Sequence, residues 1–261
     1  MVSEKEGEDM LTEERQTLIA DHVNECGICR VADLCELTAS SESTIRRDLA
    51  EMADKGLLKR VHGGARSIKH FSRDIAQKVR FGLNVASKRQ IAKYVADHFV
   101  QDGAYLYLDA GTTVYELVPF LMRFKSLTIV TNGIETAIAC LNAGLKTIQV
   151  GGEIKLDTHA AVGPDALAQI KALNYTIAFV GANGLDETGQ LTTPDPQEAA
   201  IKKMVITRAQ HSYVLMDTSK IGEASFAKFA DSRSVQVITD RLSEQQRQML
   251  PKMSRLKEVV S

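Results

Sequence analysis

The sequence predicts an α/β protein of two domains: a winged helix-turn-helix domain at residues 10–66 and a mostly parallel α/β domain at residues 87–261, joined by a linker at residues 67–86. Three observations lead to this prediction. The chain has 261 residues, which is longer than one typical domain. Its first part contains three short amphipathic segments followed by a basic hairpin pattern. The remainder alternates short apolar runs with helical patterns.

Composition and charge are those of an ordinary globular protein. Hydrophobic residues make up 44% of the chain and charged residues 25%, with a formal net charge of −1, which argues against disorder. No apolar run reaches the roughly 18–20 residues that cross a bilayer. The first ten residues, MVSEKEGEDM, are acidic where a signal peptide is basic and then apolar. We therefore expect a cytoplasmic protein with no membrane partner.

Four cysteines without a secretory signal predict reduced thiols. Cys26 and Cys29 form a single Cys-x-x-Cys pair, whereas a structural zinc site needs two further ligands at matching spacing. Only Cys35 or His22 could be assigned to that role. We interpret the pair as buried or half-buried thiols of a helical domain and predict no metal site and no cofactor, with zinc as the alternative.

The first domain begins with a helical pattern over residues 11–24, LTEERQTLIADHVN, which ends at Gly27. Its predicted buried face consists of Leu11, Leu18, Ile19, His22 and Val23. A second short helix fits residues 31–37, VADLCEL. The polar turn TASSES offers several N-caps before a third helix at about residues 42–54. This order is that of a helix-turn-helix.

The third helix has two distinct faces. The spacing of Ile45, Leu49 and Met52 places them toward a small core. The opposite face carries small and cationic residues, namely Ser43, Arg46, Arg47 and Ala50. Small residues let a helix approach the major groove of DNA, and arginines reach phosphates or a guanine edge. The alternative is a solvated charged face.

A short hairpin is predicted after Gly56, because the run LLKRVH alternates weakly and ends at Gly63 and Gly64. A hairpin behind a recognition helix is typical of a winged helix, and its cations face the DNA backbone. These are Lys59, Arg60 and His62. A binder of RNA or single strands is disfavoured, because no Trp, Tyr or Phe lies between residues 11 and 70 to stack on bases. We therefore predict contact with double-stranded DNA.

The string TIRRDLAEM followed by GLLKRVHGGA resembles the signature of the DeoR family of bacterial transcription regulators, over about residues 11–65. The resemblance implies that Ser43, Thr44, Arg46 and Arg47 lie in the major groove or on its phosphates. It places Lys59, Arg60 and His62 in the wing.

The second domain follows a basic connector. Residues 87–100 form a predicted helix, with Ile91, Tyr94, Val95 and Phe99 at helical spacing. From Gly103 onward, short apolar runs alternate with helical patterns. The six runs are AYLYLDAGTT, SLTIVTNG, KTIQVGGE, YTIAFVGANG, SYVLMDTSK and SVQVIT. Buried runs of this kind predict a mostly parallel sheet covered on both faces, which binds ligands beyond the carboxyl ends of its strands.

Polar and small residues collect at those predicted strand ends. Asp109, Gly111, Thr112 and Thr113 follow the first strand and begin a helix, so backbone N–H groups and hydroxyls are available to an anion. The alternative is an ordinary N-cap. Three further strand ends resemble the first, namely Thr131-Asn132-Gly133, Gly151-Gly152-Glu153 and Gly181 with Asn183 and Gly184. We expect the four to converge on one crevice.

Two further segments fit this crevice. Glu198 and Lys202, at i and i+4 of a predicted helix, can point into it together, with the lysine toward a phosphate. Asp217 and Lys220 end the next strand. The alternative for Glu198 and Lys202 is a surface pair that contributes about 0.3 kcal/mol. The full set of predicted effector-binding residues is Asp109, Gly111, Thr112, Thr113, Thr131, Asn132, Gly152, Glu153, Asn183, Glu198, Lys202 and Lys220.

The segment from about residue 78 to 240 resembles the effector domain of the same family, through the motifs DAGTT, TNG, GGE, GANG and LTTPD. That resemblance implies a fold related to ribose-5-phosphate isomerase and CoA-transferases. It also implies a phosphorylated sugar as effector and a homodimer or homotetramer. The combination of SESTIRRDL, GANG and LTTPD is most similar to regulators of fructose operons, so fructose 1-phosphate is the first expectation.

We therefore predict a repressor of a sugar-utilisation operon, with no catalytic residue. The alternative is a sugar-phosphate isomerase or deaminase with an attached DNA-binding domain, in which Asp109, Glu153 and Glu198 act as acid or base. No second acidic motif comparable to the paired carboxylates of an isomerase follows the GANG strand.

Overall fold

The computed structural model describes residues 11–61, 63–67, 80–252 and 254–259. The chain separates into two compact units, one up to residue 73 and one from residue 74. Within the described ranges, no helix is both long enough and apolar enough to cross a membrane.

Over its described residues, the first unit contains three helices and a small antiparallel sheet. The helices are α1 (Thr12–Cys26), α2 (Val31–Thr38) and α3 (Glu42–Asp54). The strands are β1 (Ile28–Arg30), β2 (Leu58–Val61) and β3 (Gly64–Ser67), in the order β1-β3-β2. The predicted winged helix-turn-helix is confirmed, and α3 has the predicted bounds. The strand β1, which joins the wing to the end of α1, was not predicted because it has only three residues.

The core of the first unit is formed where the helices meet the sheet. Ile45, Leu49 and Met52 of α3 are buried in it, as their spacing predicts. Leu11 is 68% exposed, so its predicted place on the buried face of α1 is wrong. The helix starts at Thr12, and Leu11 is the N-cap residue outside the first helical turn.

A buried ion pair connects α1 to α3. Arg15 Nε lies 2.6 Å from Asp48 Oδ2, and both side chains are almost fully buried. The side-chain amide of Gln16 donates to Asp48 Oδ1 at 3.4 Å and to Glu51 at 3.1 Å. These contacts fix how α3 is oriented on α1, since a buried charge is stable only with its partner in place.

The second unit is built on a seven-stranded sheet whose neighbouring strands all pair in parallel, in the order β15-β14-β12-β9-β4-β5-β6. The strands are β4 (Tyr105–Leu108), β5 (Thr128–Thr131), β6 (Lys146–Gln149), β9 (Tyr175–Gly181), β12 (Ala209–Leu215), β14 (Gln236–Thr239) and β15 (Leu256–Glu258). The predicted parallel sheet is confirmed, and each of the six apolar runs overlaps one of its strands. The edge strand β15 was missed, because it is short and carries two charged residues.

Helices cover this sheet on both faces. They are α4 (Val85–Phe99), α5 (Thr112–Tyr115), α6 (Val118–Leu121), α7 (Ile134–Asn142), α8 (Gly163–Lys171), α9 (Pro196–Arg208) and α10 (Glu244–Met249). Along β4, Leu106 and Leu108 are buried in one core with α4, and Tyr107 is buried in the other. This alternation places an apolar layer on each face.

Two smaller sheets and a turn complete the second unit. One pairs β7 (Glu153–Ile154) with β8 (Ala161–Val162), and the other has the order β10 (Gly184–Leu185), β11 (Gln190–Thr193), β13 (Ala227–Asp231). A 3₁₀ turn covers Thr218–Lys220 after β12. These elements surround the carboxyl ends of the central strands.

Candidate functional site

The outward face of α3 is organised around its N-cap. Ser41 Oγ accepts the backbone N–H of Thr44 at 3.2 Å and lies 2.8 Å from the hydroxyls of both Ser43 and Thr44. Ser43, Arg46 and Arg47 are exposed, whereas Thr44 is half-buried. The predicted face therefore exists, with two hydroxyls at its start and two arginines one turn later.

Both arginines of this face are held by exposed carboxylates. Arg46 lies 2.5 Å from Glu42, and Arg47 lies 3.6 Å from Glu51. Exposed pairs at i, i+4 contribute only about 0.3–0.5 kcal/mol. A DNA phosphate or a guanine edge can therefore replace either carboxylate at little cost.

The wing presents its cations on two faces. Leu58 is buried, whereas Lys59 and Arg60 are exposed. Successive residues of a strand point to opposite faces, so Lys59 and Arg60 cannot both meet the same DNA surface. Lys59 lies opposite Arg66 of β3. The predicted wing residue His62 lies outside the described residues.

The pairing of Lys59 with Arg66 was missed by sequence reasoning. Like charges directly opposite each other in an antiparallel pair are destabilising, and an anion at that face relieves the repulsion. Both cations lie in or beside the predicted hairpin, and the register that pairs Val61 with Gly64 places residue 59 opposite residue 66.

In the second unit, a buried ion pair lies at the carboxyl end of the central strand β4. Asp109 directly follows that strand, and its Oδ2 accepts the backbone N–H of Gly181 at 2.9 Å. The same oxygen pairs with Lys202 of α9, and both side chains are nearly fully buried. The Lys202 ammonium also lies 5.8 Å from the centre of the Phe229 ring. Two predicted site residues are thus in direct contact.

Glu198 lies one turn before Lys202 and belongs to the same network. Its carboxylate accepts the hydroxyl of Thr158 at 2.7 Å and that of Thr193 at 3.3 Å, and it lies 3.4 Å from Lys155. Burial acts to raise the pKa of Glu198, but Lys202 and then Lys155 outweigh it, so this pKa lies below its usual value. Glu198 is therefore a weak base held as a carboxylate.

Lys155 and Thr158 reach this network from the segment between β7 and β8. Lys155 also lies 2.9 Å from Asp195, the N-cap of α9. Sequence reasoning missed both residues, because the segment carries no motif and meets α9 only in the folded chain. Asn183, a predicted site residue, joins from the other side by accepting the hydroxyl of Thr193 at 3.2 Å.

The loop after β5 is packed against this segment. Asn132 is buried, its amide donates to the Ala161 carbonyl at 3.1 Å, and its Oδ1 accepts the Tyr107 hydroxyl at 2.8 Å. A Cβ on Gly133 would lie 2.7 Å from Ala110 Cα, so only glycine allows this approach. The structure thus brings the loops after β4 and β5 together, as the sequence predicts.

The loop after β4 differs from its expected form in one respect. The helix α5 has only four residues, so it carries little of the macrodipole that a long helix directs at an anion. Gly111 is its N-cap. Thr112 and Thr113 are buried at its start, and Thr131 is buried at the end of the neighbouring strand, where its Oγ1 accepts the Gly133 N–H at 3.0 Å.

Two predicted residues at the next strand end have no contact with this network in the described residues. Glu153 is exposed on β7. Gly152 has a φ of 141°, and a Cβ there would lie 2.6 Å from the Val162 carbonyl oxygen, so this glycine serves backbone packing.

Lys220 belongs to a second charged cluster, at the end of β12. Its neighbour Lys88 is buried on α4, and the Lys88 ammonium donates to the Arg80 carbonyl at 2.5 Å. Burial lowers the pKa of Lys88 to about 8, opposed by Asp217 and reinforced by Lys220. Asn84 donates to Asp217 at 2.9 Å. Sequence reasoning missed Lys88, which occupies a polar stretch of the helix pattern.

Arg80 links the two clusters electrostatically. It contributes to the lowered pKa of Lys88 and also to that of Glu198. The carboxyl edge of the sheet therefore contains several cations interleaved with carboxylates and hydroxyls. Such a set can bind a polyhydroxylated anion, with carboxylates accepting from hydroxyls and cations facing a phosphate.

Two domain families, one for each part of the chain, match this sequence. The DeoR-like helix-turn-helix domain matches residues 15–71, and the DeoR C terminal sensor domain matches residues 83–241. The Uncharacterized HTH-type transcriptional regulator FruR of Bacillus subtilis is 37% identical over 235 residues, covering 90% of this chain and 93% of that protein. The HTH-type transcriptional regulator GlpR of Haloferax volcanii is 32% identical, with 88% and 91% covered. The Lactose phosphotransferase system repressor of Staphylococcus aureus is 34% identical, with 83% and 86% covered.

Solved structures resemble part of the chain. Ribose 5-phosphate isomerase A of Methanocaldococcus jannaschii is 19% identical with a TM-score of 0.39, and 52% of this chain and 54% of that chain are covered. The eIF2B delta subunit of Chaetomium thermophilum is 14% identical with a TM-score of 0.45, and 77% and 63% are covered.

Proposed function

The chain belongs to the DeoR family of transcription regulators, and from this premise we propose that it represses a sugar-utilisation operon in the cytoplasm and responds to a phosphorylated sugar. It is a regulator and not an enzyme, as its relatives are named transcriptional regulators and repressors. The observation that carries the effector part of the proposal is the buried network of Asp109, Lys202 and Glu198 at the carboxyl edge of the sheet.

The proposed DNA contacts are those of the first unit. Arg46 and Arg47 reach bases or phosphates in the major groove, and Ser43 and Thr44 meet the backbone at the start of α3. In the wing, Lys59, Arg60 and His62 are the proposed phosphate contacts, with Lys59 and Arg60 reaching phosphates from opposite faces of the hairpin. We add Arg66 to this set, because it shares one face of the hairpin with Lys59.

The proposed effector site uses both kinds of group that a sugar phosphate needs. Carboxylate and amide oxygens accept from sugar hydroxyls, which assigns Asp109, Glu198 and Asn183 to the sugar. Cations face the phosphate, which assigns Lys202, Lys155 and Lys220 to it. The site lies beyond the carboxyl ends of adjacent parallel strands, where open parallel sheets bind their ligands.

The remaining predicted residues form the loops around this site. Gly111, Thr112, Thr113, Thr131 and Asn132 shape the ends of β4 and β5. Gly152 and Glu153 lie beside them on the next loop, where exposed Glu153 serves the effector only at the rim.

Fructose 1-phosphate is the first candidate effector. Support comes from the 37% identity with a relative named FruR over most of both chains. Another relative is named for lactose, so the panel of candidates includes other phosphorylated sugars.

Catalysis of isomerisation or deamination is disfavoured by the state of the carboxylates. Asp109 is held in an ion pair, and the pKa of Glu198 lies below its usual value. A general base works best with a pKa near the working pH. Neither group therefore suits proton abstraction from a sugar.

We also propose self-association through the β6 edge of the sheet. All four residues of β6 are at least partly exposed, including Ile148. The adjoining helix α7 exposes Ile138 and Leu141. An unpaired edge strand flanked by apolar side chains is suited to a second copy. A homodimer places two recognition helices on two half-sites.

The effector proposal is tested by a thermal-shift panel on the full chain. The ligands are fructose 1-phosphate, fructose 6-phosphate, glucosamine 6-phosphate, ribose 5-phosphate, free fructose and inorganic phosphate. We expect one sugar phosphate to raise the melting temperature, because a ligand that binds only the folded state stabilises it. The same compound should change the affinity for operator DNA by fluorescence anisotropy. Equal responses to inorganic phosphate and to every sugar phosphate would contradict a selective sugar site.

A further inference from the structure

The Cys-x-x-Cys pair, which the regulator function does not use, lies beside a histidine in the first unit. His22 and Cys26 are one turn apart on α1, and Cys29 follows in β1 after the turn at Gly27. The ligand atoms of the three residues all lie within 4.8 Å of one another. Cys26 is exposed, His22 is half-buried and Cys29 is buried.

The separations are close to those of a tetrahedral zinc site. With Zn–S bonds of about 2.3 Å and Zn–N bonds of about 2.0–2.1 Å, neighbouring ligand atoms lie about 3.6 Å apart for sulfur and nitrogen and about 3.8 Å apart for two sulfurs. Cys26 Sγ lies 3.7 Å from His22 Nε2. Because no two of the ligand atoms are more than 4.8 Å apart, movements of at most about 1 Å bring them to these separations.

We propose that His22, Cys26 and Cys29 bind a thiophilic metal ion, Zn²⁺ being the probe, with a solvent-facing fourth position occupied by water. Each thiol releases its proton to solvent as the thiolate binds the ion, and neutral imidazole supplies its free nitrogen. The proposal is independent of the effector site and requires no DNA.

The site would connect α1 to the wing. Cys29 pairs with Ala65 of β3, and the Ser67 N–H donates to the Gly27 carbonyl at 3.0 Å between two of the ligands. An ion held by α1 and β1 therefore fixes the end of the first helix against the sheet that carries Lys59. A bound ion that is absent from the unfolded chain stabilises the folded unit.

Cobalt substitution on the full-length, reduced and metal-free protein tests the proposal. We expect one equivalent of Co²⁺ to give a thiolate-to-cobalt charge-transfer band that Zn²⁺ abolishes by displacement. Cys26→Ser should lose the band and weaken Zn²⁺ binding by more than about a hundredfold, since even outer partners of metal sites are worth about ten- to a hundredfold. His22→Gln should lower Zn²⁺ affinity but keep the charge-transfer band, because both thiolates remain. Cys35→Ser, in the same unit but outside the cluster, is the matched control. It should retain both the charge-transfer band and the Zn²⁺ affinity.

Three outcomes would overturn the proposal. One is the absence of a charge-transfer band in the reduced wild type. Another is a band that survives in Cys26→Ser. The last is a purified protein in which Cys26 and Cys29 form a disulfide and which, after the disulfide is reduced, still binds no Zn²⁺. Because Cys29 is buried and its replacement can disturb folding, the test depends on the exposed Cys26, with circular dichroism confirming that each variant is folded.

Discussion

Each unit of the molecule contains a buried ion pair, and the surroundings of the two pairs differ. Arg15 and Asp48 join two helices of the first unit, beside the side-chain amide of Gln16. Lys202 and Asp109 join a helix to a strand end, beside the backbone N–H of Gly181 and a second carboxylate, Glu198. The comparison teaches that burial of a charged pair does not by itself mark a ligand site. The proposed effector site depends instead on the position of Asp109 and Lys202 at a sheet edge where loops converge.

The largest expected effect is on the pair in the first unit. Asp48→Ala leaves the Arg15 guanidinium buried without its acceptor, so the free energy of unfolding of this unit should fall by about 3–5 kcal/mol. Chemical denaturation followed by circular dichroism measures it. Replacing the exposed Glu42 by Ala should change stability by less than about 0.5 kcal/mol.

The double variant Arg15→Met/Asp48→Leu sharpens this result. A buried pair replaced by apolar residues of similar volume is often neutral in stability. We expect the double variant to recover most of the lost stability and also normal operator binding. Recovery of folding without operator binding would show that the pair does more than orient α3.

The pair in the second unit should behave differently. Lys202→Met should lower the affinity for the effector by about tenfold to a hundredfold, because hydrogen bonds to charged groups contribute about 1.5–3 kcal/mol. Titration calorimetry measures this loss. Adding Asp109→Asn to Lys202→Met removes the unpaired charge and should recover stability without recovering effector affinity. If both stability and effector affinity recover, the pair has only a structural role, like that of Arg15 and Asp48.

These contrasts show what could be predicted from the sequence. The bounds of α3 were predicted because Ser41 is a good N-cap and the apolar period is clear. The six longer strands were predicted because each overlaps a short apolar run bounded by turn residues, although β6 is largely exposed in the fold. The loops after β4, β5, β6 and β9 were predicted to meet. In the fold those after β4, β5 and β9 do, whereas Gly152 and Glu153, which follow β6, have no contact with the network in the described residues.

The missed features depend on tertiary packing. Arg15 was not expected to be buried, because a charged residue normally points to solvent and its partner Asp48 lies in another helix. Lys88 was missed for the same reason. Lys155 reaches Glu198 across 43 residues of sequence, a contact that no local period encodes. The short strand β1 has too few residues to show a pattern.

The exposed arginines of the first unit should give an intermediate effect. Arg46→Ala or Arg47→Ala should weaken operator binding by about 1–3 kcal/mol, measured by anisotropy at fixed salt. A base contact reduces affinity mainly for the cognate sequence, whereas a phosphate contact reduces it for all sequences and lowers the salt slope. Glu42→Ala is the control, and it should bind slightly more tightly because Arg46 loses its competing partner. If both arginine variants bind the operator as tightly as the wild type, α3 is not part of the DNA interface.

The last expected effect is a pH dependence from Lys88, whose pKa burial lowers from 10.5 to about 8. Between about pH 8 and 10.5 the folded chain has lost a proton that the unfolded chain keeps, so this residue makes stability rise with pH. Effector affinity should move the opposite way, falling by up to about tenfold per pH unit above about pH 8, because a phosphate attracts the charged form. Both trends should flatten in Lys88→Met and persist in Lys93→Met, which removes an exposed lysine of the same helix. Effector affinity that is independent of pH from 7 to 9.5 would place the phosphate away from Lys88, on the side of Lys155 and Lys202.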